Sequence, residues 1–338
     1  MERKKVIDQF DLIRAISCIG IVLFHFSVEY GRPRFFSDFG NGITYGDIYV
    51  TVFFFISGAL LFYNYREVTD LRAFYKKRAI AIFPAFYLAW GVLYLKDVIR
   101  YKSWFYKGNP FSLILSLVGM DGYLAYKVND YYILGEWFIG AIILLYVLFP
   151  MIVRMDRKCR GATVALIGFM YISSVWINIS GMMAFRTLPS CLISFYFGIL
   201  FVDYRQMAEK YWLITCMALV VLKIIPYGNV NLKGHLAGIC MACVLYGLGT
   251  YFMKYRTVKE IMQCIGGLSY YIFLTHHYVI CLLIKYIPTG SAVVKEWILL
   301  LVVLIVTFIS AILLKKICCM LTRYINSISK FCKLKCLA

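Results

Sequence analysis

Ten stretches of mostly apolar residues recur along the chain, and they constrain its fold more than any other feature. They fall near 9–28, 47–65, 79–95, 132–153, 162–180, 187–203, 211–226, 235–253, 265–286 and 294–314. Crossing the hydrocarbon core of a bilayer takes a helix of about 17–25 residues. In lipid every backbone N–H and C=O must be satisfied within the protein, which leaves helices and closed barrels. The runs are continuous and do not alternate, so barrel strands are excluded. The expected fold class is therefore all-α: a polytopic integral membrane protein with about ten transmembrane helices. Composition agrees. The 338 residues are 62% hydrophobic and 16% charged, against roughly 45–50% apolar and about 25% charged in soluble domains.

The N-terminal MERKK followed by an apolar run mimics a signal peptide, but the run is too long for one and no small-residue cleavage site follows. An uncleaved first span is expected. Pro84 and Pro150 fall near expected span ends, and Pro189 in a first turn, where its missing N–H is harmless. The stretch 111–119 is apolar but too short to cross, which suits an interfacial or re-entrant helix.

The net charge of +19 is explained by topology. With the N-terminus inside and ten crossings, about two thirds of the Lys and Arg lie on the inner side, as the positive-inside rule requires. Both termini are then cytoplasmic. The chain divides into a membrane domain, 1–314, and a basic amphipathic cytoplasmic tail, 315–338. One outer loop departs from the pattern, with Lys96, Arg100, Lys102, Lys107 and Lys127. It could meet an anionic acceptor or lipid head groups. No nucleic-acid partner is expected, because the basic residues are spread over inner loops. The twelve cysteines are scattered. Cys240 and Cys243 form a CxxC with neither a second pair nor a nearby His, so no metal is expected.

Arg14 and His25 lie within the first span. Ionisable groups in a membrane segment mark functional sites more often than chance. Eleven residues correspond to about 16 Å of rise and about 20° of net rotation, so both sit on one helix face. Such a face could line a tunnel from the cytoplasmic edge outward. Arg14 could also be a snorkelling anchor at the helix end, and His25 a hydrogen-bonded packing residue. Glu29, one turn after His25, could orient that imidazole or be a loop residue at the outer surface. Lys76, Lys77 and Arg78 stand at the inner mouth of the third span, as a topology anchor or as a clamp for a cytoplasmic anion.

Four ordered stretches resemble the membrane acyltransferase-3 family. DLIRAISCIGIVLFH is similar to its opening helix through Arg14 and His25. VFFFISGALLFY is similar to its Phe-Phe…Ser-Gly segment through Phe54, Phe55, Ser57 and Gly58. KKRAIAIFP resembles its basic segment, and LSYYIFLTHH its late His helix, with His276 rather than His277 at the family position. EWFIGAIILLYVLFP adds Trp137, Tyr146 and Pro150. The resemblance covers nearly the whole chain. One position departs from it: Ala81 stands where the family usually has a second Arg.

The resemblance implies an acyl-CoA donor, acetyl-CoA first, and a hydroxyl of a cell-surface or lipid-linked carbohydrate as acceptor. Arg14, Lys77 and Arg78 are then the donor-binding residues. His25 is implied as general base, with a transient acyl-histidine as the alternative route. His276 is implied as a second proton shuttle or an oxyanion donor. Ser57 and Gly58 suit close helix packing better than nucleophilic attack. The implied location is a bacterial plasma membrane, multi-pass, among membrane lipids; a homo-oligomer is compatible. Two other readings stay open: an exporter of polysaccharide or of an acylated intermediate, and a non-catalytic scaffold.

Overall fold

A computed structural model describes residues 7–32, 34–128, 131, 134, 137–176, 182–288 and 293–335, with side chains as far as Tyr324 except Phe35. The N-terminal basic residues and most of the basic tail, with Cys332 and Cys336, lie outside those described side chains. The molecule is nearly all helix. In chain order the helices are α1 (Asp8–Tyr30), α2 (Tyr45–Asn64), α3 (Leu71–Tyr101), α4 (Ser112–Leu117), α5 (Asp121–Leu124), α6 (Trp137–Lys158), α7 (Arg160–Trp176), α8 (Leu188–Ile224), α9 (Val230–Phe252), α10 (Arg256–Gly266), α11 (Ser269–Leu283) and α12 (Val293–Lys335). A small hairpin, β1 (Asp38–Gly40) and β2 (Ile43–Thr44), joins α1 to α2.

Among the described residues six helices are long and apolar enough to cross a membrane: α1, α2, α3, α6, α9 and α12. The pair α10–α11, bent by 63°, raises the number to seven. The protein is thus a multi-pass membrane protein. The expected spans 187–203 and 211–226 both fall in α8, where two helices meet across a kink at Tyr211 (φ −115°, ψ 18°), the residue at which the second span was expected to begin; the short segment between them is helical up to that kink. Polar residues do not end that helix because they have partners. Asp203 pairs with Arg66 and, at 2.8 Å, with Arg160. Tyr246 Oη lies 3.3 Å from Glu209.

Pro84 and Pro150 are also placed differently from the sequence reading. Both lie inside helices that extend past the apolar runs, α3 and α6. Neighbouring segments let membrane helices tolerate an internal proline. Pro189 opens α8 as expected, and 111–119 contains the short helix α4. No break marks residue 314, since α12 runs on through it.

α2 is the packing centre, against α1, α8 and α9. It is apolar on nearly every side after its first turn, as a helix enclosed by others must be. Two glycines explain how closely α8 approaches it. A Cβ on Gly58 would collide with the carbonyl of Phe195, and one on Gly198 with the carbonyl of Phe55. Small residues drive helix association in lipid because backbones can then approach. α2 begins with a capping box, in which Thr44 Oγ1 accepts from Asp47 N at 3.1 Å and Asp47 accepts from Thr44 N at 3.2 Å. The hairpin turn holds Asn41 at φ 55°. Its amide donates to the carbonyls of Lys223 (2.6 Å) and Ile225 (3.1 Å), closing the end of α8.

A buried polar joint fixes the Lys158 end of α6. Asp156 accepts from Arg160 Nη2 at 2.9 Å and from Tyr196 Oη at 2.5 Å. It ties α6, α7 and α8 together, as a buried carboxylate requires.

Candidate active site

α1 delivers Arg14 to a cavity of about 960 Å³ enclosed by α1, α2, α3, α6 and α11. Asp11, one turn earlier and buried, pairs with the Arg14 guanidinium and aims it. α1 is itself held in place from outside: Lys259 and Gln263 of α10 donate to Asp8 at 2.7 and 3.1 Å, and Gly266 lets α10 rest on the backbone of Asp11.

Lys77 and Arg78 reach the same cavity from α3, whose start is fixed by Asp70 accepting from Ala73 N at 2.9 Å. The three residues expected to bind the donor therefore meet at one end of one cavity. Arg78 is half-buried within an aromatic cage, its guanidinium carbon 5.6, 6.0 and 5.9 Å from the rings of Tyr65, Phe74 and Tyr146. Among the described residues no carboxylate pairs with it, and its buried Nε has no hydrogen-bond partner. An oriented cation without a counter-charge in an open cavity has the chemistry to hold an anion. Ala81 lies in the same wall, so the missing second Arg leaves space and not a substitute charge. Ser57 also lines the cavity and hydrogen-bonds Tyr146. Of the Ser-Gly pair, only Gly58 serves helix contact.

The histidines form a second group. His25 of α1 has its ring 5.1 Å from His276 and 4.7 Å from His277, and the latter two are 5.9 Å apart. His276 is fully buried, His25 and His277 half-buried. His276 Nδ1 lies 2.8 Å from the carbonyl of Phe273 and 3.1 Å from that of Ile272. Both neighbours are acceptors, so Nδ1 carries the hydrogen and Nε2 the lone pair.

Among the described residues, Arg14 lines this cavity and His25 does not. The cavity ends on Phe53, Phe138 and Phe273. The aromatic wall is packed: Phe138 and Phe273 have centroids 5.1 Å apart, and Phe273 lies 6.0 Å from His276. His276 is thus the imidazole next to the wall, and His25 the one beyond it.

Glu29 does not orient His25. It is exposed in the last turn of α1, 3.7 Å from His277 Nε2. Cys281 Sγ lies 3.8 Å from the other nitrogen of that ring. Glu29, His277 and Cys281 offer donors of metal-binding type within 4.8 Å of one another. The thiol and carboxylate approach opposite edges of the imidazole, so one ion would bond only one of its nitrogens.

Sequence reading missed Asp11, the aromatic cage of Arg78 and the phenylalanine wall. Asp11 carried a signal, the three-residue spacing to Arg14 that pairs side chains along a helix. The cage joins three helices and had none.

A family model described as an acyltransferase domain, acyltransferase-3, matches residues 7–316. The chain belongs to this family, and it is an acyltransferase of the membrane. No curated protein and no solved structure matches it significantly.

Proposed function

We propose that the protein transfers an acyl group, acetyl first, from a cytoplasmic acyl-CoA to a hydroxyl of a cell-surface or lipid-linked carbohydrate on the far side of the membrane. The supporting observation is a single cavity with three cations at one end and an aromatic wall backed by paired imidazoles at the other. The donor's phosphates dock on Arg14, Lys77 and Arg78. Its pantetheine arm runs along α1, whose rise from Arg14 to His25 is about 16 Å. The thioester then stands at Phe273, and that ring must rotate or shift to admit it.

His25 acts as general base. It takes the proton of the acceptor hydroxyl as the oxygen attacks the thioester carbonyl carbon. The tetrahedral intermediate collapses, the C–S bond breaks, and the CoA sulfur leaves as thiolate and is protonated. The products are an ester and free CoA. The His276 tautomer supports a proton-accepting role over an oxyanion-donor role, because its inward nitrogen holds a lone pair. The His25 and His276 rings pack with centroids 5.1 Å apart and planes at 52°, so His276 fixes the place of the His25 ring through ring contact. The export reading gains no support from this arrangement.

The topology that goes with this reading has ten crossings and both termini in the cytoplasm of a bacterial cell. The membrane domain is 1–314, and 315–338 is a basic tail on the inner side, into which α12 continues. The test is thiol release from acetyl-CoA by purified protein supplied with candidate glycans. His25→Ala abolishes turnover with donor binding retained, and Arg14→Ala raises the apparent donor constant more than it lowers the rate. Near-normal transfer by His25→Ala would remove the imidazole from the mechanism.

A further inference from the structure

A second cavity, of about 400 Å³, lies toward the other end of α3. Lys96, Asp97 and Tyr101 line it from the end of α3, Tyr106 and Lys107 from the following turn, and Tyr278 from α11. Its position is informative. The donor cavity uses Lys77 to Ile82 of α3 and Ser269 to Phe273 of α11. The second cavity uses the same two helices further along, about 27 Å from Arg78 to Lys96 at the helical rise. On α11 the residues between Phe273 of one cavity and Tyr278 of the other include His276 and His277. Along α11 the two histidines thus fall between the positions that line the two chambers.

The lining has the chemistry of a sugar site. Tyr101 and Tyr106 stack with centroids 5.3 Å apart and planes at 17°. Tyr106 packs edge-on against the buried Tyr131 at 5.3 Å, which braces it. Its own buried hydroxyl has no hydrogen-bond partner among the described residues. Rigid rings with a polar tip present a flat apolar face and a donor together, which suits the C–H face and hydroxyls of a pyranose. Lys96 stands over the Tyr278 ring at 5.0 Å and pairs with Asp97 at 3.1 Å. Lys107 is exposed and has no carboxylate partner among the described residues. The local balance is positive, and Arg100 and Lys102 stand close by in the chain. This is the outer basic loop that the positive-inside rule leaves unexplained.

We propose that this chamber is the acceptor subsite, and that it takes the terminal residue of an anionic glycan, a uronate or phosphate-bearing sugar stacked on tyrosine with its charge on Lys107. The proposal rests on the acyl-transfer reading and adds the acceptor's charge and docking place to it.

The experiment uses the full-length protein in nanodiscs of zwitterionic lipid, without acyl-CoA. Trigalacturonic acid and maltotriose are titrated by calorimetry. The acidic trisaccharide is expected to bind saturably and at least about tenfold tighter than the neutral one, with salt narrowing the gap. Tyr278→Ala and Lys107→Glu each weaken it about tenfold, with CoA affinity unchanged. Lys107 is exposed on a turn, so its substitution tests the charge without threatening the fold. Absence of saturable binding overturns the proposal, as does binding indifferent to both substitutions. Loss of sugar binding when phosphatidylglycerol enters the nanodisc also overturns it, since the chamber then holds a lipid head group. The two readings fail separately: His25→Ala that still transfers acyl groups sinks the mechanism and not the sugar site. Thiol release that depends on His25, with no binding of the acidic sugar, sinks the sugar site alone.

Discussion

Replacing Arg78 with alanine tests the proposed donor cavity most directly. The guanidinium is half-buried and held among Tyr65, Phe74 and Tyr146, so little side-chain entropy remains to be lost when an anion arrives. A charge-assisted hydrogen bond contributes about 1.5–3 kcal/mol, which converts to roughly a 10- to 150-fold rise in the dissociation constant of CoA. The folded protein loses only cation–π contacts, worth about 0.5–1 kcal/mol at partly exposed sites. The thermal midpoint should therefore move little while binding collapses. Lys77, exposed at the same mouth, is screened by water, and its alanine variant should weaken binding only about two- to threefold. Arg78→Lys keeps the charge but gives up the two-pronged fit to phosphate and should fall between. Calorimetry or equilibrium dialysis with CoA reads all three. Equal and small effects at Lys77 and Arg78 would refute the cage as a phosphate dock.

Three further outcomes are expected. Gly198→Leu places a side chain on the backbone of Phe55; overpacking of about 1–3 kcal/mol or more should lower the thermal midpoint in detergent and reduce the folded yield. Asp156→Ala removes the partner of Arg160 and Tyr196 at the joint of α6, α7 and α8. Breaking such a pair costs about 3 kcal/mol, to be read by thermal or denaturant unfolding, and CoA affinity of the fraction that remains folded should be unchanged. Phe273→Ala opens the wall between the cavity and His276, so thiol release without any acceptor should rise several-fold as water reaches the thioester.

Much of the fold was legible in the sequence because lipid imposes a length and an apolar composition on each span. α1 and α2 start and end within a few residues of the expected runs. The errors fall where hydropathy stops carrying information. Asp203 and Glu209 look like a loop until Arg66, Arg160 and Tyr246 answer them, and α8 then continues to its break at Tyr211. Helix α10 is amphipathic and short, so an apolar count misses it, yet it carries the lysine that fixes Asp8. In the site, Arg14, Lys77 and Arg78 were readable as cations out of place, and His25 and His276 as imidazoles in apolar runs. What periodicity along a single helix could not give was contact between helices. It placed His25 on the face of Arg14 but not behind Phe273, and it left Glu29 between His25 and a surface loop when its neighbour is His277.

In the mechanism we propose, the docking cation and the base share one unbroken helix, and that makes α1 a fixed gauge. Flexing of loops cannot alter the distance between Arg14 and His25, because every residue between them is helical. A donor is therefore measured before it reacts. One shorn of its nucleotide has no hold at the charged end, and one carrying a long fatty chain must push its bulk into the phenylalanine partition. Selection for small acyl groups would then be a property of geometry, exercised without any contact specific to the acyl group itself.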